Sequence, residues 1–222
     1  MSQIAGIPDS VKRHTVGHHF ANAESEFSAA KLGFWIFLAT ETLMFGGLFV
    51  AYSYFRSLMP ETFEAAHRTL SVPLGTLNTV VLITSSLTMA LAIRSAMVNK
   101  QKQMMAFLVI TLVAAAGFMV IKLGFEWPHK FHEGTLPSYW YTYEGLKDVP
   151  NPQIFYGLYF VMTGLHGLHV IIGMGLILWL IILGKKGRFY SGYYTPLEIT
   201  GLYWHFVDLV WIFLFPLFYL VA

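Results

Sequence analysis

The chain has 222 residues, of which 56% are hydrophobic, 17% aromatic and only 12% charged, about half the charged fraction of a soluble domain, so a water-soluble globule is excluded. Fourteen Lys and Arg against twelve Asp and Glu leave a net charge of +2, too weak a basic field to hold a nucleic-acid backbone. The absence of cysteine excludes disulfides, iron–sulfur clusters and Cys-ligated zinc, and any metal would need His, Asp or Glu.

Residues 1–30 carry Asp9, Lys12, Arg13, Glu24 and Glu26 without an apolar run, which reads as a cytoplasmic tail and not a cleavable signal peptide. Its His14, His18 and His19 read as solvated residues. Residues 31–222 read as one membrane domain. Its first span runs from Leu32 to Tyr54, broken only by Glu41, and predicts a helix over 32–55. Thr69 to Ile93 holds no charge, and its helix is placed over 74–94, after Pro73. Gln103 to Ile121 fits between Lys102 and Lys122 and predicts a shorter helix over 103–122. Val149 to Gly184 opens on Pro150-Asn151-Pro152, which belongs to a loop and leaves a long helix over 153–184. Ile199 to Ala222 carries only Asp208 and predicts the last helix, 199–221. All five pass the length test for crossing a membrane, so the expected fold is all-α, an integral bundle of five transmembrane helices. The loop from Lys122 to Pro152 contains Trp127, Tyr139, Trp140, Tyr141 and Tyr143, as expected of backbone at headgroup level.

Sorted by side, nine positive charges fall in the N-terminal tail, the second loop and the fourth loop. Five fall on the other face: Arg56, Arg68, Lys122, Lys130 and Lys147. The positive-inside rule then places the N-terminus inside and the C-terminus outside.

Glu41 lies ten residues from Lys31, or about 15 Å of helix, near mid-membrane. Asp208 lies equally far from Glu198. A charged carboxylate there costs about 2.5–3.5 kcal/mol, so each is protonated, paired or turned to a polar crevice. Both a packing role and a proton-relay, lipid-contact or subunit-contact role fit that requirement. His205 and Asp208 are spaced i, i+3, as are His166 and His169, so each pair shares a helix face. An alternative reading is a free-standing membrane haem or metal-binding protein that uses His166, His169 and His205. Against it, membrane histidines commonly hydrogen-bond to neighbouring helices, and Gly164, Gly167, Gly173 and Gly175 favour close helix packing over a haem pocket. No nucleophile with its base and no phosphate loop occurs, so no catalytic residue is assigned.

Four segments together resemble subunit III of the haem-copper terminal oxidases. They are Phe34-Trp35-Ile36-Phe37-Leu38-Ala39-Thr40-Glu41-Thr42-Leu43-Met44-Phe45; Pro73-Leu74-Gly75-Thr76-Leu77-Asn78-Thr79 with Ser85-Ser86; Tyr156 to Val170, containing Gly164-Leu165-His166-Gly167-Leu168-His169; and Trp204-His205-Phe206-Val207-Asp208-Leu209-Val210-Trp211. The resemblance implies a non-catalytic subunit of a multi-pass protein complex in the bacterial cytoplasmic (inner) membrane, a proton-pumping oxygen reductase. It would pack directly on the large subunit I, which holds the haems and copper, with subunit II and a subunit IV in the same complex. This chain would hold no cofactor or metal of its own, would bind phospholipid, and would sustain proton uptake and turnover stability. Glu41 matches the family's buried carbodiimide-reactive glutamate. Glu126, His166, His169, His205 and Asp208 would form the intramembrane polar set. The mitochondrial-type subunit has seven helices, and this chain resembles the five-helix bacterial form that lacks the first two.

Overall fold

The computed structural model describes His18, residues 20–137 and residues 140–221; Asp9, Lys12, Arg13, His14, His19 and Tyr139 lie outside them. The helices are α1 (Ala23–Leu58), α2 (Pro60–His67), α3 (Val72–Met97), α4 (Gln101–Met119), α5 (Trp127–His132), α6 (Gln153–Lys185) and α7 (Thr195–Phe215). Two π-helical turns, Val120–Glu126 and Pro216–Leu220, continue α4 and α7. Five helical segments are long and apolar enough to cross a membrane: Glu24–Leu58, Val72–Met97, Gln101–His132, Gln153–Lys185 and Thr195–Leu220.

Two boundaries differ from the sequence reading by more than a turn and a half. The helix expected over 32–55 begins at Ala23, because Asn22 caps it. Asn22 Oδ1 accepts from the Ser25 amide at 2.8 Å, and Ser25 Oγ accepts from the Asn22 amide at 3.2 Å, while Glu24 and Glu26 sit on the positive end of the helix dipole. The 36-residue helix is about 54 Å long, so its polar turns project beyond the hydrocarbon. The third span does not end at Lys122 but runs on to His132. Pro128 has no N–H for the Gly124 carbonyl, and the chain widens into a π turn just before it. The side chains read as loop charges at Lys122, Glu126 and Lys130 are 2%, 3% and 2% exposed. Their i, i+4 spacing puts all three on the inward face, while Leu123 and Phe125 point outward.

α7 is the central helix, packed against α1, α3 and α6, while α3 and α4 form a close antiparallel hairpin. Asn99 turns that hairpin with φ 58°, and its side chain holds Ser191 of the α6–α7 connection. At the other end, Thr62 Oγ1 donates to the Pro150 carbonyl at 2.8 Å and Tyr52 to the Leu217 carbonyl at 2.6 Å. The core is aromatic: Trp204, Trp211, Phe118, Phe155 and Phe218 are almost fully buried. The indole N–H of Trp204 donates to Ser85 Oγ and that of Trp211 to Thr79 Oγ1, both at 3.0 Å. Gly173 admits Trp204 so closely that a Cβ there would sit 2.7 Å from the ring.

Candidate functional site

Glu41 lies midway along α1 and His169 midway along α6. Their side chains meet, His169 Nε2 to Glu41 Oε2, at 3.1 Å. The Leu165 carbonyl, 2.7 Å from His169 Nδ1, accepts only, so Nδ1 carries a hydrogen. A neutral ring would then turn the lone pair of Nε2 toward Glu41, which must donate; a cationic ring would donate to a carboxylate. Either way one proton lies in the contact, and a proton-free pair would set lone pair against negative charge. Phe45 packs edge-on to the imidazole with centroids 5.3 Å apart, and Tyr203 donates to the His169 carbonyl at 3.0 Å. Tyr203 also closes one end of an open crevice of about 780 Å³ between α1, α6 and the start of α7, walled by Phe34, Phe37, Leu176, Trp179 and Tyr194.

A second polar group lies toward the end of the bundle that carries the C-terminus. Lys122 Nζ donates to Tyr159 Oη at 2.8 Å and to Tyr219 Oη at 2.7 Å, and lies 3.0 Å from Glu126 Oε1. Tyr159 donates to the same oxygen at 2.5 Å, and Tyr219 donates there too. All four side chains are buried. The ammonium also lies 5.1 Å from the centroid of Trp211, within cation–π range. Three of the four residues stand on the two π turns, which turn Lys122, Glu126 and Tyr219 toward Tyr159. Glu126 is therefore inside the bundle, with partners that the sequence reading did not name. The i, i+4 Lys-Glu spacing within an apolar stretch was the available signal; the two tyrosines gave none.

The remaining polar residues go to separate places. His205 Nδ1 lies 2.7 Å from Ser86 Oγ on α3. Asp208, 3% exposed, lies one turn further along α7, also on the side of Ser86. His166 is fully buried between Phe118 and Trp211, its ring centroid 5.1 Å from the indole, with neither nitrogen bonded. His169 is committed to Glu41 and Leu165, so His166, His169 and His205 face three different surroundings. Among the described residues no three His, Asp or Glu side chains converge on a metal position, and a ligand set of the three histidines does not fit this geometry.

The profile described as cytochrome c oxidase subunit III matches residues 9–222. The chain is 32% identical over 202 residues to the probable quinol oxidase subunit 3 of Staphylococcus saprophyticus, covering 86% of this chain and 89% of the relative. It is 33% identical over 204 residues to the cytochrome c oxidase subunit 3 of Bacillus sp. (strain PS3), covering 90% of each. A relative from Staphylococcus haemolyticus, also a probable quinol oxidase subunit 3, is 33% identical over 204 residues.

Proposed function

Because the chain belongs to the cytochrome c oxidase subunit III family, we propose that it is the non-catalytic third subunit of a bacterial proton-pumping haem-copper oxygen reductase. In this reading it packs on the large subunit, which holds the haems and copper, beside subunits II and IV in the cytoplasmic membrane. It sustains proton uptake and turnover, and holds phospholipid. Relatives whose names carry quinol and cytochrome c match equally well, as expected of a subunit that does not bind the electron donor.

The observation that carries the proton reading is the Glu41–His169 contact, a pair that holds one proton at the middle of two membrane-length helices. The crevice ending at Tyr203 supports the lipid reading, because its aromatic and aliphatic walls suit an acyl chain. Burial of Lys122 and Lys130 leaves Arg56, Arg68 and Lys147 as the loop charges of the outer face. That strengthens the charge asymmetry behind an N-inside, C-outside orientation.

The test is a tag on this chain. The mildly solubilised complex is expected to show a haem difference spectrum and oxygen uptake, and the chain separated from its partners neither. Haem retained by the separated chain would overturn the assignment. Within the complex, Glu41→Gln is expected to lower the proton-to-electron ratio or shorten active lifetime with an unchanged haem spectrum. Wild-type values of both would reduce the pair to packing.

A further inference from the structure

α3, α4, α6 and α7 pack in a ring, with α3 and α6 each lying against both α4 and α7, so the side chains they turn inward share one enclosed interior. Toward the C-terminal end that interior holds the Lys122–Glu126–Tyr159–Tyr219 group. There Oε1 of Glu126 takes the donors, and Oε2, also buried, takes none from the described residues. Tyr159, Thr163 and His166 follow at i, i+4 and i+7 on one face of α6, all of them buried. Trp211 joins the two levels: its ring centroid lies 5.1 Å from Lys122 Nζ and 5.1 Å from the imidazole of His166. On α3, Asn78 stands one turn beyond Gly75, whose Cβ would sit 2.9 Å from the Tyr219 ring, and beside Thr79, which accepts from the Trp211 indole. Asn78 therefore faces the same interior at the level of Trp211.

Asn78 and His166 are both 0% exposed, and among the described residues nothing bonds either polar atom of the carboxamide or either nitrogen of the imidazole. A polar group that gives up its hydration without gaining a partner destabilises a fold, and buried groups of this kind are bonded to protein or to ordered water. The ring of helices closes the interior to a partner helix and to an acyl chain. A cation would meet the Lys122 ammonium there, and an anion the Glu126 carboxylate. The three residues present a mixture: the carboxamide donates and accepts, a neutral imidazole has one N–H and one lone pair, and Glu126 Oε2 accepts. Water, which both donates and accepts, matches that mixture.

We propose that the interior of this ring is a water-binding site held by Asn78, His166 and Glu126 Oε2, which joins His166 to the Lys122–Glu126 group in one hydrogen-bonded network. Imidazole, phenol and carboxylate groups joined through water exchange protons, so the network is a second proton-holding site within the bundle. It is separate from Glu41–His169, because both nitrogens of His169 are already committed. The site belongs to the folded chain and does not depend on the oxidase reading.

The experiment uses the tagged full chain with its partners, labelled with isotopic histidine nitrogen and reconstituted in lipid. Solid-state NMR then reads magnetisation transfer from water protons to the imidazole nitrogens. The signals of His166 are identified by their loss in His166→Gln, and those of the exposed His129, the positive control, by their loss in His129→Gln. Transfer to both rings is expected, and transfer to His129 without transfer to His166 would overturn the site. Detergent denaturation gives a second readout. Asn78→Leu and His166→Phe are each expected to lower the midpoint, because each removes an anchor of the shared water, and the double variant is expected to lose less than the sum of the two. His166→Gln, which keeps a donor and an acceptor, is expected to lose less than His166→Phe. Midpoints raised by both apolar variants, the result of filling a dry interior, or losses that simply add, would likewise overturn the shared site.

Discussion

Replacing Lys122 by Met should destabilise the bundle severely, and removing Glu126 as well should restore much of the loss. At 3.0 Å the Lys122–Glu126 attraction is about 5–6 kcal/mol at an effective dielectric of about 20. The ammonium also donates to the two phenol oxygens. Met matches the length and apolar volume of the lysine stem, so the perturbation is chiefly electrical. A buried carboxylate is left with two phenol donors and no counter-charge, a change that costs about 3–5 kcal/mol. In Lys122→Met with Glu126→Gln no charge is buried, and the carboxamide oxygen still accepts from Tyr159 and Tyr219. The double variant should therefore recover at least half of the loss, and the coupling between the sites should exceed about 1.5 kcal/mol. Unfolding in mixed micelles titrated with a denaturing detergent, followed by tryptophan fluorescence, reads all four members of the cycle, with Trp211 beside the ammonium as reporter. Equal stability of Lys122→Met and wild type, or a double variant no better than the single, would refute the argument that this charge pair is what makes the site tolerable.

Two further outcomes follow from the packing and the charge pattern. Gly173→Ala drives a methyl to 2.7 Å from the Trp204 ring and should cost about 1–3 kcal/mol by overpacking. Gly175→Ala, two residues along the same helix with nothing within 4 Å, should be neutral or stabilising by up to about 1 kcal/mol; thermal unfolding of the two variants compares them. For orientation, the chain has no native cysteine. Lys147→Cys, exposed in the loop before α6, should react with an impermeant maleimide in intact cells. Lys102→Cys, exposed at the start of α4, should react only after permeabilisation, and the reverse pattern would invert the proposed orientation.

The presence of five membrane-length helices was legible in the sequence because that property is additive. A run of about 20 apolar residues must satisfy its backbone internally wherever its neighbours lie. Glu41, His166, His169, His205 and Asp208 stood out for a similar reason, since a polar group in such a run is costly whatever its partner. Partners, by contrast, are a property of how helices are set against one another. Glu41 meets a histidine 128 positions away, and equal i, i+3 spacing let His166 and His169 read as a pair although one faces Trp211 and the other α1. Lys122, Glu126 and Lys130 show the limit most clearly. A charge interrupts an apolar run on paper, but three charges at i, i+4 occupy one helix face. Whether that face meets water or the interior was decided by the π turn before Pro128 and by the phenols of Tyr159 and Tyr219 waiting inside. Sequence determined which segments enter the membrane, because hydration cost is local to each side chain. Only the tertiary structure decided which polar groups share protons and charge, because those energies depend on distances between helices.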